Sequence, residues 1–328
     1  MRQPSSRMAR RRHAILCTGV GLGLVLALVE TRPARGCDVC AIYTATEQRE
    51  SQTGLRVGIA EQYTSYDTEQ LNGTKVGNPA GEYLNSYITQ LLVAYNFTPR
   101  LGAQLNVPVI SRVYRRQEEN GVVDGDESGI GDLSLLANGV LFSDVTDTSV
   151  MRWSAFGGLK LPSGNSHRLK EELMEHGDVQ SGVHGHDLAL GSGSTDVVLG
   201  SQAFGSWNRL FASGTVGYVI RTSGSFGYHY ANDLTWNTGP GVFALLEHDY
   251  SLGIQAALSG ESKGKDTLNG VTADDTARTG AYIGPSVNFT WGASLAAEAA
   301  VDIPFVQNNS AFQIVPDYRL RFGGTWTF

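Results

Sequence analysis

The chain ends in DYRLRFGGTWTF, Asp317 to Phe328, and this stretch indicates the fold class. Successive side chains of a strand point to opposite faces, so the two parities are read separately. The aromatic and apolar parity consists of Tyr318, Leu320, Phe322, Trp326 and Phe328, interrupted by Gly324. The basic and small parity consists of Arg319, Arg321, Gly323, Thr325 and Thr327. A strand with lipid on one side and a wet lumen on the other needs this pattern, which predicts a transmembrane β-barrel.

The final residues also carry a resemblance. Phe328 is preceded by an aromatic residue, Trp326, two positions earlier. This ending resembles the terminal signature of bacterial outer-membrane β-barrels. The resemblance implies that the barrel-assembly machinery is a partner and reads Phe328. The alternative is an ordinary edge strand that ends in phenylalanine by chance.

The first 36 residues are expected to form a cleaved signal peptide. Five arginines precede an apolar run, Ala14 to Val29, and the small residues Ala34 and Gly36 follow it. This order is typical of secretory signals, and the run is shorter than the roughly 20 residues that a spanning helix needs. Cleavage is predicted between Gly36 and Cys37. The expected organisation is a signal peptide at 1–36, a periplasmic segment at 37–53 and an outer-membrane barrel at 54–328.

Charge and hydropathy exclude some function classes. Residues 1–36 hold seven of the 25 basic residues and one of the 32 acidic ones, which leaves 18 against 31, a net charge of −13. Nucleic acid is an unsuitable partner because binding it needs a basic face. No apolar run after residue 36 approaches ~20 residues, so a membrane would be crossed by strands. The resemblance of the C-terminal ending then implies that the protein lies in outer-membrane lipid of a Gram-negative bacterium.

Two cysteines follow the predicted cleavage site with the spacing CxxC. Cys37 and Cys40 favour a disulfide in an oxidising periplasm, while an inert thiol pair, a metal or redox site and lipidation of Cys37 remain open. A c-type haem would need histidine after the second cysteine, where this chain has Ala41. No cofactor is therefore expected.

The rest of the chain reads as twelve alternating segments, long enough for strands that cross a membrane at a tilt. They are Leu55–Tyr66, Tyr87–Phe97, Leu101–Tyr114, Gly131–Phe142, Met151–Leu161, Thr195–Gly205, Leu210–Arg221, Leu234–Leu246, Tyr250–Ser259, Arg278–Thr290, Ser294–Phe305 and Phe312–Phe328. Short connections alternate with long ones, as in barrels that have tight periplasmic turns and long outer loops. An antiparallel barrel of about twelve strands follows.

The segment Tyr87–Phe97 illustrates the expected faces. Its apolar parity, predicted to face lipid, is Tyr87, Leu91, Val93, Tyr95 and Phe97. Gln90 and Asn96 are predicted to face the lumen. Other aromatic residues at segment ends, such as Trp207 and Trp291, fit the girdles that flank an apolar band.

Several short motifs resemble one family. They are Gly129-Ile130-Gly131-Asp132-Leu133, Gly158 to Gly164 (GLKLPSG), Leu190 to Asp196 (LGSGSTD) and Pro316-Asp317-Tyr318-Arg319. In this order they resemble the outer-membrane transporter-like proteins associated with the phenol meta-cleavage pathway. The resemblance covers about residues 125–328. It implies a channel or uptake role for small, often aromatic or hydrophobic, solutes, and it supplies no catalytic residues.

Charged side chains on the inward parities are candidates for solute selection. They are Lys160, Arg221, Arg319 and Arg321 together with Asp132, Asp196, Glu298 and Asp302. Rings of charge select ions in channels. The alternative is a lumen held in shape by ion pairs.

The long connection 162–194 is a candidate gate. It holds four histidines, and His184, His186 and Asp187 with Cys37 and Cys40 are candidate metal ligands, because imidazole suits zinc and copper. A solvated loop is the preferred interpretation of this connection. A second acidic stretch, Asp124 to Gly129, resembles half a calcium loop, but Leu135 stands where the last ligand belongs, so a solvated loop is preferred there too.

No spacing of serine and histidine indicates a hydrolase, so an enzyme is not expected. The sequence therefore predicts an outer-membrane channel for passive uptake or efflux of small solutes. The alternative is a closed structural or metal-handling barrel that uses the CxxC and the histidine-rich loop.

Overall fold

Seventeen strands occur in the computed structural model, which describes residues 53–173 and 181–328. They are β1 Gly54–Leu71, β2 Thr74–Lys75, β3 Tyr83–Thr98, β4 Leu101–Glu118, β5 Gly121–Ile130, β6 Leu133–Val145, β7 Ser149–Leu161, β8 Asp196–Trp207, β9 Leu210–Ile220, β10 Tyr228–His229, β11 Asp233–Leu246, β12 Tyr250–Lys263, β13 Thr267–Leu268, β14 Val271–Thr272, β15 Arg278–Trp291, β16 Leu295–Asn309 and β17 Phe312–Thr327. Short helical segments lie at His167–Leu173, Gly185–Leu188, Ser225–Gly227 and Asp274–Thr276. None of the helices in these described ranges is long and apolar enough to cross a membrane.

Twelve of these strands form a closed antiparallel barrel. Around the barrel the order is β1, β3, β4, β6, β7, β8, β9, β11, β12, β15, β16 and β17, each strand pairing with the next. The sheet closes because β1 pairs with β17 over nearly its whole length, from Arg56 opposite Thr327 to Leu71 opposite Phe312. Closure leaves no unpaired edge in the wall. The prediction of an antiparallel barrel of twelve strands is confirmed.

The two ends of the barrel differ. At one end, called here the turn end, connections of two or three residues join the strands, and both Gly54 and Phe328 lie there. At the other, the loop end, connections are longer except for the pair 310–311 between β16 and β17. The predicted alternation of short and long connections is therefore present. Tight loop-end hairpins use residues that accept positive φ, such as Asn72 and Gly73, with φ of 52° and 78°.

Strands at the loop end are longer than the sequence predicts. The acidic stretch Asp124–Gly129 belongs to β5, which pairs with β4, so the prediction of a loop is wrong, although Asp124 and Asp126 are exposed to solvent. Opposite charges across this hairpin explain the extension, since Arg115 donates to Asp124 at 2.8 and 2.9 Å. Likewise β16 continues to Asn309 and leaves almost no loop.

The faces of the wall follow the predicted parities. On β3 the five side chains predicted to face outward are each between 42 and 62% exposed, whereas Gln90 and Asn96 are buried. Aromatic residues predicted for strand ends are exposed near the turn end, including Trp207, Trp291 and Trp326. Glu61 is an exception on the outward face, where its carboxylate accepts a hydrogen bond from Thr89. A few neutral polar side chains, such as Thr89 and Ser111, share this outward face, which is otherwise an apolar band.

A cation in the middle of this band is expected to destabilise the barrel. Leu91 lies midway between Tyr87 and Tyr95 and is 43% exposed. We expect Leu91→Arg to lower the free energy of unfolding in lipid vesicles by about 2–4 kcal/mol, as cations do on the lipid face of barrels. Val271→Arg, at an exposed position of a loop-end hairpin, is the matched control and should have little effect. Equal effects of the two substitutions in urea titrations would contradict the assignment of this face to lipid.

Candidate functional site

The connection between β7 and β8 enters the barrel and covers the lumen at the loop end. Residues 181–194 of this connection are almost entirely buried, including Val183, Leu188 and Leu190. Val183 and Leu188 pack with Leu84, Tyr114 and Ile314 from the barrel wall. The solvated-loop interpretation is therefore wrong, because these apolar side chains have a wall to pack against. The described parts of this connection, 162–173 and 181–195, are called the plug.

The two ends of the plug meet at a narrow neck. An ideal Cβ on Gly164 would lie 2.8 Å from the Cα of Gly191, so only glycine allows the two chain segments of the neck to approach this closely. The backbone carbonyl of Asn165 accepts the N–H groups of Leu190 and Gly191, both at 3.0 Å. Asp132 fastens both ends, accepting from Gly164 N at 3.0 Å and from Ser192 N at 2.9 Å. These contacts hold the neck against the wall.

Glu82 holds the far side of the plug. Its carboxylate accepts the Gly182 N–H at 2.6 Å, the Ser181 hydroxyl at 2.8 Å and the Gln117 N–H at 2.5 Å. The backbone adds a bond from Ile314 N to Gly182 O at 3.0 Å. A buried carboxylate with three donors is a strong anchor because charged hydrogen bonds are worth more than neutral ones.

The candidate metal ligands lie inside the plug. The rings of His184 and His186 stack with centroids 5.3 Å apart, and His186 Nδ1 lies 2.9 Å from Glu172 Oε1. Asp187 is 3.6 Å from His186 Nε2 and accepts the His184 N–H at 3.1 Å. Within 53–173 and 181–328 no group of three histidine, cysteine or acidic side chains is placed to hold a metal ion. Cys37 and Cys40 lie outside these ranges, so their role stays a prediction.

Glu172 links the two halves of the plug. Its carboxylate accepts the His186 N–H at 2.6 Å as well as facing the imidazole. Burial works against the charged form of Glu172, but His186, His184 and the backbone N–H outweigh burial and lower its pKa from the ordinary value of 4.5. Since the pKa is lowered on folding, this carboxylate stabilises the plug above pH 4.5, and its contribution is lost as pH falls through the lowered pKa.

Removing this charge should loosen the plug in a pH-dependent way. At pH 7 we expect Glu172→Gln to speed hydrogen exchange of amides in 181–191 roughly tenfold, the worth of one charged hydrogen bond. As the pH falls through the lowered pKa of Glu172, the wild-type carboxylate becomes protonated, so the exchange rates of the two proteins should converge. Glu119→Gln, on the exposed tip of the β4–β5 hairpin, is the control. A difference in exchange rate that stays constant as the pH is lowered, while the barrel remains folded, would contradict the role given to the charge.

Four of the eight candidate lumen charges form one network near the loop end. Lys160 Nζ lies 3.0 Å from Asp132 and 3.7 Å from Asp196. Arg221 lies 2.9 Å from Asp196 and donates through Nε to Asp233 at 2.9 Å. Asp196 and Asp233 are almost fully buried. The network joins the loop-end termini of β7, β8, β9 and β11, and each of its charges has a partner of opposite sign.

The other four candidates form a second network with Glu261. Arg321 binds Asp302 through two nitrogens at 2.8 and 3.1 Å and lies 3.4 Å from Glu298. Arg319 donates to Glu261 at 2.6 Å and to the Tyr282 hydroxyl at 3.0 Å. All eight candidates are thus lumenal and paired. Their role in solute selection stays a prediction.

Sequence reasoning missed three charges in these networks. Asp233 and Glu261 fall in predicted loops, because the predicted segments begin at Leu234 and stop at Ser259, and Arg278 is the first residue of the predicted segment Arg278–Thr290. Arg278 lies 3.7 Å from Glu261. Extending the period-two pattern of β12 by two residues past Ser259 would have placed Glu261 on the inward parity.

A cavity of about 210 Å³ lies in the lumen beneath the plug. Charged side chains of both networks reach it, and so do His186 and Leu190 of the plug. The rest of the lining mixes neutral polar side chains such as Gln62, Gln90 and Asn237 with apolar and aromatic ones such as Ile88, Tyr66 and Trp236. This arrangement can hold a small polar solute or water, and it shows no nucleophile paired with a base.

Comparison with known proteins bears on the fold. No protein-family model matches the chain, and a search of curated proteins found no match. The structure is similar to that of an outer membrane channel from Pseudomonas putida F1, with 17% identity and a TM-score of 0.59 over 86% of this chain and 98% of that one. This likeness supports the fold of an outer-membrane barrel. It gives no support for a link to phenol degradation, and that link stays a prediction.

Two more distant likenesses involve autotransporters. The β domain of BrkA from Bordetella is 10% identical, with a TM-score of 0.42 over 84% of this chain and all of that one. The translocator domain of NalP from Neisseria meningitidis is 14% identical, with a TM-score of 0.39 over 84% of this chain and 89% of that one.

Proposed function

We propose that this protein is a channel in the outer membrane of a Gram-negative bacterium, through which small solutes pass down their gradient. The observation that carries the proposal is a closed barrel with a largely apolar exterior, a polar lumen and a cavity within that lumen. Closed barrels cross lipid because every backbone polar group in the wall is paired. The turn end would face the periplasm and the loop end the outside, as short turns and long loops are arranged in barrels of this kind.

The plug makes passage conditional. It covers the lumen at the loop end and is fastened to the wall by Asp132, Glu82 and Arg112, whose guanidinium donates to the Ala189 carbonyl at 2.6 Å. Passage would therefore need the plug to shift or solutes to slip past it. Lys160, Arg221 and the other paired lumen charges would set preference among solutes. A preference for aromatic or hydrophobic solutes remains a proposal that rests on the family resemblance.

Liposome swelling tests the proposal. The refolded protein is placed in vesicles and the rate of entry of uncharged solutes of increasing size is followed by light scattering. A channel predicts entry that depends on the protein and falls with solute size. Vesicles that swell no faster than protein-free ones, with folding confirmed by heat-modifiable gel mobility, would favour the closed structural barrel instead.

A further inference from the structure

The seam between β16 and β17 is incomplete at the loop end. Pairing of these two strands starts near the turn end and stops at Asp302 opposite Arg319. Beyond this point residues 303–309 pair with β15 and residues 312–316 pair with β1, but within the described chain the two segments do not pair with each other. The connection 310–311 joins them again at the loop end. This interruption of the wall is called the split.

Both strands bend where their mutual pairing ends. On β16 the register with β15 shifts between Pro304 and Val306, so Phe305 is a bulge residue. On β17 the register with β1 shifts beside Pro316, and Asp317 is left out of the ladder. Proline has no N–H to donate, and a bulge bends its strand and interrupts the ladder. A proline and a bulge on each side therefore explain why β16 and β17 part here.

Side chains close the split. Gln307 of β16 donates through Nε2 to the carbonyl of Pro316 on β17. On the lumen side, Arg278 of β15 donates to the Ile314 carbonyl at 3.4 Å and lies over the ring of Tyr66, 5.4 Å from its centroid. Side chains change rotamer far more easily than strands unpair. The split can therefore open while β16 stays paired with β15 and β17 stays paired with β1.

The split has the cavity on one side and the outer face of the barrel on the other. On the inner side, Tyr66, Arg278 and Ile314 all line the cavity beneath the plug. On the outer side, Phe305 and Val306 are apolar and exposed. Opening of the split would therefore connect the cavity with the surroundings of the wall without any movement of the plug.

One end of the split lies at an aromatic girdle. Tyr318 precedes the last paired residue of β17, and its ring lies 5.8 Å from that of Tyr63, which is 4.8 Å from the ring of Tyr87. Tyrosines of this kind mark the depth at which lipid chains meet the headgroups, because they have an apolar body and a polar tip. A solute with the same two parts would collect at the same depth.

The chemistry of the split also favours such a solute. Its outer rim is apolar, whereas the facing edges of 303–309 and 312–318 carry backbone N–H and C=O groups that the opposite strand does not pair. A hydrocarbon would leave these groups without partners, and a sugar would lose its water at the apolar rim. We propose that a small amphiphilic solute, with an apolar body and one polar group, passes through the split between the outer aromatic girdle and the cavity in the lumen.

The proposal rests on the channel function and deepens it with a route and a solute class, but entry into the lumen is measurable without conduction. The refolded protein in lipid vesicles is exposed to an alkyl diazirine alcohol dissolved in the lipid. After irradiation, mass spectrometry locates the labelled residues. We expect adducts on Tyr66, inside the lumen, as well as on Leu91, which faces lipid.

Loss of the bridging side chain should make entry easier. Gln307→Ala is expected to raise the labelling of Tyr66 roughly fivefold, the worth of one neutral hydrogen bond. Asn308→Ala is the matched control, because Asn308 is the neighbouring amide on β16 and is exposed. It should leave the labelling of Tyr66 unchanged.

A reversible link separates entry through the split from entry through the mouth of the barrel. In a protein whose native cysteines are replaced by serine, Phe305→Cys and Tyr318→Cys place one thiol on each side of the split. A short bis-methanethiosulfonate reagent joins the two thiols, and the change in mass confirms the link. Joining should abolish the labelling of Tyr66 and spare that of Leu91, and reduction of the link should restore the labelling of Tyr66.

Labelling of Tyr66 that persists after the strands are joined would overturn the route, because the solute would then enter through the mouth. Absence of lumenal labelling in the folded protein and in Gln307→Ala would overturn it as well. Folding of each variant is checked by heat-modifiable gel mobility. Conductance without lumenal labelling would retain the channel and reject the split. Labelling that the link abolishes, in a protein that does not conduct, would retain the split and reject the channel.

Discussion

Deletion of residues 165–190, with Gly164 joined to Gly191, is expected to enlarge single-channel conductance on the order of threefold or more, because it clears the lumen of a twelve-stranded barrel. The structure favours these boundaries, since Gly164 and Gly191 already abut at the neck. Asp132 keeps its bonds to Gly164 and Ser192 in the shortened protein. The wall should therefore remain closed while its mouth opens.

A point substitution distinguishes an effect of the plug on conductance from a general loss of folding. Glu82→Gln replaces the carboxylate that holds Ser181 and Gly182, so it should give more frequent open events than the intact protein shows. Glu119→Gln, on the same end of the barrel but exposed, should leave the conductance unchanged. A deletion protein that folds and conducts no better than the intact one would mean that the plug does not limit passage.

Loss of Arg221 is expected to have the largest effect on stability of any lumen substitution. Its guanidinium bridges Asp196 and Asp233, two carboxylates that are at most 1% exposed. Arg221→Met leaves Asp233 buried without its bridging cation, and removing one partner of a buried ion pair costs about 3–5 kcal/mol. Urea unfolding in lipid vesicles, followed by tryptophan fluorescence, measures the loss.

A double-mutant cycle identifies the cause. Asp233→Asn in the Arg221→Met background removes the stranded charge and should recover a large part of the lost free energy of unfolding. Arg100→Met, at an exposed position of a tight turn, is the control for loss of an arginine. If Asp233→Asn recovers nothing, the arginine acts by packing and not by charge.

The barrel could be predicted from the sequence because each strand carries its own signal. Lipid on one face and a polar lumen on the other force the alternation that Tyr87–Phe97 and the last twelve residues display. The positions of the strand ends are predicted less accurately, because both faces of a strand become polar beyond the apolar band and the alternation is lost. For this reason the sequence predicts loops where the structure has β5 and the loop end of β12, which carries Glu261.

The plug could not be predicted because its burial depends on contacts that are distant in sequence. Ser181 and Gly182 are about a hundred residues from Glu82, and Arg112 reaches a carbonyl 77 residues away. A polar, glycine-rich segment looks solvated until the wall that receives it is known. The lumen charges were found from parity alone, but which acid pairs with which base follows from strand order and register.

Single-channel recording of the intact refolded protein in a planar bilayer tests the central claim most directly. The account predicts stable conductance steps, small for the intact protein and larger when residues 165–190 are removed. Absence of conductance from both proteins, each shown to be folded by heat-modifiable gel mobility, would contradict a channel. It would indicate a barrel whose lumen is filled by its own side chains.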